Sequence, residues 1–164
     1  MVYFLSLGSN LGEREQTLRR AMQMIGQQIG PVLRSSSLYY SEPWGFTSPH
    51  PFCNLCCAVE TPLSPLEVLH STQAIERALG RTRKSNSVSD LTGEVIVPLA
   101  GKEAGLTAQR SNIYSDRPID IDLIRVFDDN GQEIFIDTPE LTVPHRLWQQ
   151  RDFVKVPLDE IMNI

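Results

Sequence analysis

The sequence has no excess of positive charge. Against 15 Lys and Arg stand 20 Asp and Glu, a formal net charge of −5, so a surface built to neutralise many nucleic-acid phosphates is not expected. Cysteine is scarce and odd in number, three in all, which gives no disulfide framework. No basic leader precedes the short apolar start, Val2 to Leu7, and no stretch approaches the roughly 18 apolar residues of a membrane span. A cytoplasmic chain that binds neither nucleic acid nor membrane is therefore expected, and nothing in its composition requires more than a monomer. Aromatics are few, at 7%, but charged and hydrophobic fractions of 21% and 41% leave a globular composition, not a disordered or coiled-coil one. The 164 residues suffice for a single domain that buries roughly 70% of its unfolded surface.

Within that frame the hydrophobic pattern is legible. Val2 to Leu7 reads as a buried strand that ends in the turn Gly8-Ser9-Asn10-Leu11-Gly12. Leu18, Ala21, Met22, Ile25 and Ile29 recur at helical spacing, which predicts a helix lying on a sheet and stopped by Gly30-Pro31. Val32 to Tyr40 becomes strand-like at its end, and Phe52 to Glu60 is a strand with Phe52, Asn54 and Cys56 on one face. Cys53, Cys56 and Cys57 lie inside that apolar run without a partner pair at zinc spacing, so they read as small buried side chains. Ser64-Pro65-Leu66-Glu67 has the capping-box arrangement of a second helix, which Gly80 closes.

Ile119 to Val126 reads as a further strand, Asp129-Asn130-Gly131 as a hairpin turn, and Glu133 to Ile136 as the returning strand. Leu141 to Phe153 reads as a turn and a short helix. The order β-α-β-β-α-β-β, with two long helices, predicts an α+β domain of ferredoxin-like kind, a mainly antiparallel sheet with helices packed against it. Residues 81 to 117 are too long for an ordinary connection. Within them Glu94 to Leu99 is a candidate short strand in an otherwise polar excursion.

The chemistry concentrates in a few places. Asp120 and Asp122 flank Ile121, so both carboxylates project from one side of a strand, about 7 Å apart at Cα. Such a pair repels itself unless a cation lies between, and Mg²⁺ with water and phosphate ligands meets that need. The alternative is an exposed acidic strand face. Gln73 and Glu76 share a helix face, and Arg81, Arg83 and Lys84 follow within a turn. Those cations suit either a solvated helix end or, together with Arg117 and the carboxylate pair, a nucleotide phosphate site. Gly8 to Gly12 lacks the Lys-Ser/Thr of a phosphate-binding loop. His50 and His70 read as surface or packing residues.

Taken in order, Gly8-Ser9-Asn10-Leu11-Gly12, Phe52-Cys53-Asn54, Gln73-x-x-Glu76-x-x-x-Gly80-Arg81-x-Arg83, Arg117-Pro118-Ile119-Asp120-Ile121-Asp122, Leu141-Thr142-Val143-Pro144-His145 and Arg151-Asp152-Phe153 resemble the 6-hydroxymethyl-7,8-dihydropterin pyrophosphokinase family. The resemblance implies transfer of pyrophosphate from ATP to 6-hydroxymethyl-7,8-dihydropterin in folate biosynthesis. It implies that Asp120 and Asp122 hold two Mg²⁺ ions, and that Arg81, Arg83 and Arg117 act with them on the phosphates. By the same resemblance Gln73, Glu76, Tyr114, His145 and Arg151 contact ATP. Trp44, Gly45 and Asn54 contact the pterin edge, while Phe52 and Phe153 stack on its faces. The pattern departs from the family at Arg146, at Tyr114-Ser115-Asp116, and in length: the interval from Arg83 to Arg117 is longer by roughly 20 to 25 residues. It is read as one domain over 1–164 with an appended loop at about 85–113. A non-catalytic ferredoxin-like metabolite-binding module is the rival reading, and an ester hydrolase on the same fold leaves the Asp pair without a purpose.

Overall fold

The structure is a computed structural model that describes residues 1–81 and 116–162. The segment around Glu94 to Leu99, the appended loop at 85–113, and Arg83 and Tyr114 lie outside the described residues. Three long strands form most of the sheet: β1 (Val2–Ser9), β4 (Phe52–Glu60) and β5 (Asp120–Phe127). Two short ones, β2 (Val32–Ser35) and β3 (Tyr39–Ser41), both pair with β4. The sheet order is β2-β4-β1-β5 with every pairing antiparallel, which is the expected ferredoxin-like arrangement with the polar stretch 32–41 broken into two strands.

Helices α1 (Arg14–Gln28) and α2 (Pro65–Ala78) cover one face. Leu18, Ala21 and Ile25 of α1 and Val68 and Ile75 of α2 meet Tyr3, Leu5 and Leu7 of β1 in the main core. The predicted helix start at Ser64 is present in full. The Ser64 hydroxyl accepts from the Glu67 amide, and the Glu67 carboxylate accepts from the Ser64 amide at 2.8 Å, satisfying two amide donors that an uncapped helix leaves open. Gly30 follows α1 so closely against the strand that a Cβ there would stand 2.2 Å from the Glu60 carbonyl oxygen.

The opposite face is where the sequence reading needs correction. Instead of a short helix ending near Phe153, an 11-residue helix α3 (Asp152–Met162) packs there, preceded by a 3-10 turn at Trp148–Gln150. Val154, Leu158 and Ile161 of α3 close a second core with Cys56, Ala58 and Ile124. Because both faces are covered, Phe52 to Val59 of β4 are all buried, the three free cysteines among them. Pro157 conceals α3 in the sequence: a proline in mid-helix forfeits one backbone bond, yet its ring lies on the buried stripe 154, 157, 158, 161.

The returning strand is also corrected. The turn at 129–131 forms, with Gly131 at φ +75° and the Asp128 carboxylate accepting from the amides of Asn130 and Gln132. Only Glu133 then bridges Phe127, its carboxylate drawn to Arg125 at 2.6 and 2.9 Å. The chain next leaves the main sheet, and β6 (Ile136–Asp137) pairs with β7 (Thr142–Val143) in a separate two-stranded ladder. There Ile136 faces the buried Val143.

Candidate active site

Helix α3 spans only part of its face of the sheet. Helix α3 lies over the end bearing Phe4, Ala58 and Cys56, with the Cys56 thiol directed at the Val154 carbonyl. The other end of the same face carries Phe52, Asn54, Gly8, Asp120 and Asp122. Strand register sets them side by side: Gly8 of β1 faces Asn54 of β4 on one side and Asp120 of β5 on the other, and Ser6 faces Cys56 and Asp122. Two strand spacings separate Asn54 from Asp120, roughly 10 Å.

Gly8 is the floor of this row. A Cβ at Gly8 would lie 2.9 Å from Asn54 Oδ1 and 3.6 Å from the Phe52 ring. Asn54, 3% exposed, donates through Nδ2 to the Tyr39 carbonyl at 3.0 Å and the Ser41 hydroxyl at 2.9 Å. Those bonds fix the amide with its oxygen toward Gly8, an acceptor aimed across the row. Phe52 meets Phe46 edge to face and carries the Arg117 guanidinium over its ring, 5.5 Å from the centroid.

At the other end of the row Ile119, Ile121 and Leu123 are buried in the α1–α2 core, so Asp120 and Asp122 are turned to the α3 face as expected. One Asp120 oxygen takes the Arg81 guanidinium, and the other lies 3.5 Å from Arg117. Arg81, 4% exposed, also donates to Glu76 Oε1 and to the Ile119 carbonyl, both at 3.1 Å. Burial by itself would lower the Arg81 pKa. The charges of Asp120 and Glu76 outweigh it and raise the pKa instead, so the guanidinium stays charged. Glu76 is 2% exposed, and its Oε1 also accepts from the Ile121 amide at 2.7 Å. It therefore fixes β5 and Arg81 from below the sheet, a positioning task that its place on the Gln73 face did not disclose. Gln73 sits half-buried on α2.

Arg151, 7% exposed, stands just before α3 with its guanidinium 4.6 Å from the Trp44 ring centroid and 5.9 Å from that of Phe153. Gly45 follows Trp44 at φ +82°, a left-handed turn that favours glycine. His145 takes the Leu147 amide on Nδ1 at 3.3 Å, which makes Nε2 the donor of the neutral ring. Arg146 pairs with Asp137 at 2.8 Å on the exposed surface. Among the described residues, then, Arg81, Arg117, Asp120 and Glu76 form one contact network, and Phe52 joins it through Arg117. Trp44, Arg151 and Phe153 form a second.

Two members of the site's framework escaped the sequence. Asn10 reads there as one residue of a turn, yet it is 2% exposed and bonded to the chain at Arg117. Asp116 bonds to Asn10 across 106 positions. A polar side chain between two glycines was the sole sequence signal for the first, and the second had none.

Two carboxylates on one strand, a guanidinium pair against them and an aromatic–amide cluster in the same row form an arrangement chemically suited to a phosphorylated ligand beside a flat polar one, on a ferredoxin-like sheet. The family model for 7,8-dihydro-6-hydroxymethylpterin-pyrophosphokinase matches residues 4–97 and 90–163, and the chain belongs to that family. It is 41% identical over 160 residues to 2-amino-4-hydroxy-6-hydroxymethyldihydropteridine pyrophosphokinase of Porphyromonas gingivalis, covering 98% of this chain and 90% of the relative. To the protein of the same name from Bacillus subtilis it is 31% identical over 161 residues, covering 98% and 77%. Among solved structures, one described as HPPK-DHPS in complex with substrates superposes with a TM-score of 0.57 at 12% identity. It spans 98% of this chain and 40% of that one, a likeness of fold.

Proposed function

We propose that this chain carries out the reaction of its family on the part of that sheet face beyond α3, moving pyrophosphate from ATP to 6-hydroxymethyl-7,8-dihydropterin with AMP as the second product. It is an ATP-dependent pterin pyrophosphokinase of folate biosynthesis. The observation that carries the site assignment is the register row Asn54, Gly8, Asp120. Its span of roughly 10 Å fits a bicyclic ring at one end and the phosphates that its hydroxymethyl oxygen attacks at the other.

In this reading the pterin lies over Gly8 against Phe52, with Phe153 as the opposing face, Asn54 Oδ1 accepting from the ring edge, and Trp44 and Gly45 bordering it. Asp120 and Asp122 are hard oxygen donors on one face, a set that fits Mg²⁺ completed by water and phosphate. Two ions are proposed there, and bound Mg²⁺ supplies neutralisation of phosphate charge. Arg81, Arg83 and Arg117 align the phosphates, and Tyr114, His145, Arg151 and Gln73 complete the nucleotide contacts. His145 donates through Nε2. Glu76 is assigned to holding Arg81 and β5 in place as well as to the nucleotide side. The chain's contribution is positioning and charge compensation, with Arg117 linking the ring end to the phosphate end. The single domain over 1–164, its appended loop at 85–113, a monomeric state and a cytoplasmic setting belong to the same proposal. Among the described residues no helix is long and apolar enough to cross a membrane.

Gly8→Ala tests the row directly. The added methyl meets Asn54 Oδ1, so the amide must move and the floor rises under the ring. Titration of the pterin alcohol in the presence of Mg²⁺ and α,β-methylene-ATP is expected to show affinity weakened on the order of tenfold or more. Nucleotide affinity should stay within about threefold, since this row touches the phosphates only at its far end. Unchanged pterin affinity would remove the ring from this row.

A further inference from the structure

Asn10 is a three-way junction. Its backbone amide donates to the Arg117 carbonyl at 3.3 Å, and its side-chain Oδ1 accepts from the Arg117 amide at 2.8 Å. Its Nδ2 donates to the His50 carbonyl at 3.2 Å and to the Asp116 carboxylate at 2.6 Å. The Ser48 hydroxyl on the same loop accepts from the His50 amide at 3.1 Å. One buried amide therefore ties together the end of β1, the loop 42–51 that carries Trp44 and Gly45, and the backbone of Arg117.

An asparagine amide has nearly the same shape in either of two orientations, so its partners decide which end is which. The His50 carbonyl and the Asp116 carboxylate accept only, and both require the NH₂ end. Of the two, the carboxylate makes the shorter, charge-assisted bond. With the NH₂ end committed, Oδ1 is left for the Arg117 amide. In the reversed orientation two N–H groups would face each other and the Arg117 segment would be pushed off.

We propose that Asp116 is a positioning residue: by orienting the Asn10 amide it sets the backbone of Arg117 and the 42–51 loop in register with each other. The nearby Ser48 hydroxyl and then the Asn10 amide favour the charged form and hold the Asp116 carboxyl below its ordinary pKa, so the acceptor is ionised at neutral pH. The consequence for catalysis rests on the function proposed above, because Arg117 serves the phosphates there and the loop serves the pterin. The geometric part does not.

The test uses the unliganded protein first. Exchange of the Arg117 backbone amide, followed by ¹⁵N–¹H NMR, is expected to speed up about tenfold or more in Asp116→Ala, with β1–β4 amides unchanged. Asp116→Asn, whose carbonyl still accepts from Nδ2, should keep the wild-type protection. Asp116→Ala placed on Asn10→Ala should add little beyond Asn10→Ala alone, the mark of two residues acting in series. Turnover in the Asp116→Ala variant is expected to drop about tenfold in parallel. If Asn10→Ala does not fold, the Ala and Asn variants at 116 decide the matter. Full Arg117 protection in Asp116→Ala, equal loss in Ala and Asn, or effects that multiply with Asn10→Ala would each overturn the proposal. A wild-type protein that forms no AMP would refute the pyrophosphokinase reading while leaving the exchange result standing.

Discussion

Turnover falls on the order of 10²-fold or more when Asp122 is replaced by Ala, with the fold retained. Asp122 stands half-exposed on the α3 face, opposite Ser6, so its loss opens no core cavity. What it removes is a preorganised charge at the place where phosphate charge is neutralised, and one such partner is typically worth 10²–10³-fold in rate. Asp120→Ala should match the kinetic loss and melt lower as well, because Asp120 binds the buried Arg81 guanidinium directly. The paired measurement of steady-state turnover and thermal melting separates the two roles. Near-wild-type turnover in both variants would remove the carboxylates from the reaction.

The largest effect on stability is expected at Glu76. Its single oxygen Oε1 serves both the Arg81 guanidinium and the Ile121 amide, with Glu76 and Arg81 side chains only 3% and 4% exposed. Glu76→Ala leaves a buried cation with less compensation and an amide of the edge strand β5 without that acceptor. Breaking a buried pair by removing one partner costs about 3–5 kcal/mol, which for a chain of this size lowers Tm by about 6–20 °C. Glu76→Gln retains an acceptor for Ile121 and should recover part of that loss. Differential scanning calorimetry of the two variants measures it; a Glu76→Ala protein that melts with the wild type would show that the carboxylate is not structural.

How far the sequence reveals this architecture depends on the range of the determining interactions. The extent of β4, the cap at Ser64 and the common face of Asp120 and Asp122 follow from period and local chemistry, and each stands in the structure as read. Helix α3 was obscured because Pro157 is a local helix breaker whose cost is offset only by a sheet face assembled from β1, β4 and β5. The return after Asn130 is not legible locally, because β6 finds its partner in β7 and not in β5, while Glu133 is held by Arg125. At the site, residue types announced the carboxylates and arginines. The junction at Asn10 and the support from Glu76 did not show, since their partners stand 107 and 45 positions away and no spacing rule reaches that far.

The central claim is that the sheet face beyond α3, bearing Asn54, Gly8 and Asp120, brings the pterin hydroxymethyl oxygen to the β-phosphorus of ATP. Phosphorus-31 NMR of the protein turning over Mg·ATP and 6-hydroxymethyl-7,8-dihydropterin reads this directly. The account predicts an AMP singlet growing together with the two coupled doublets of a pyrophosphate ester. Growth of ADP beside a pterin monophosphate would contradict it.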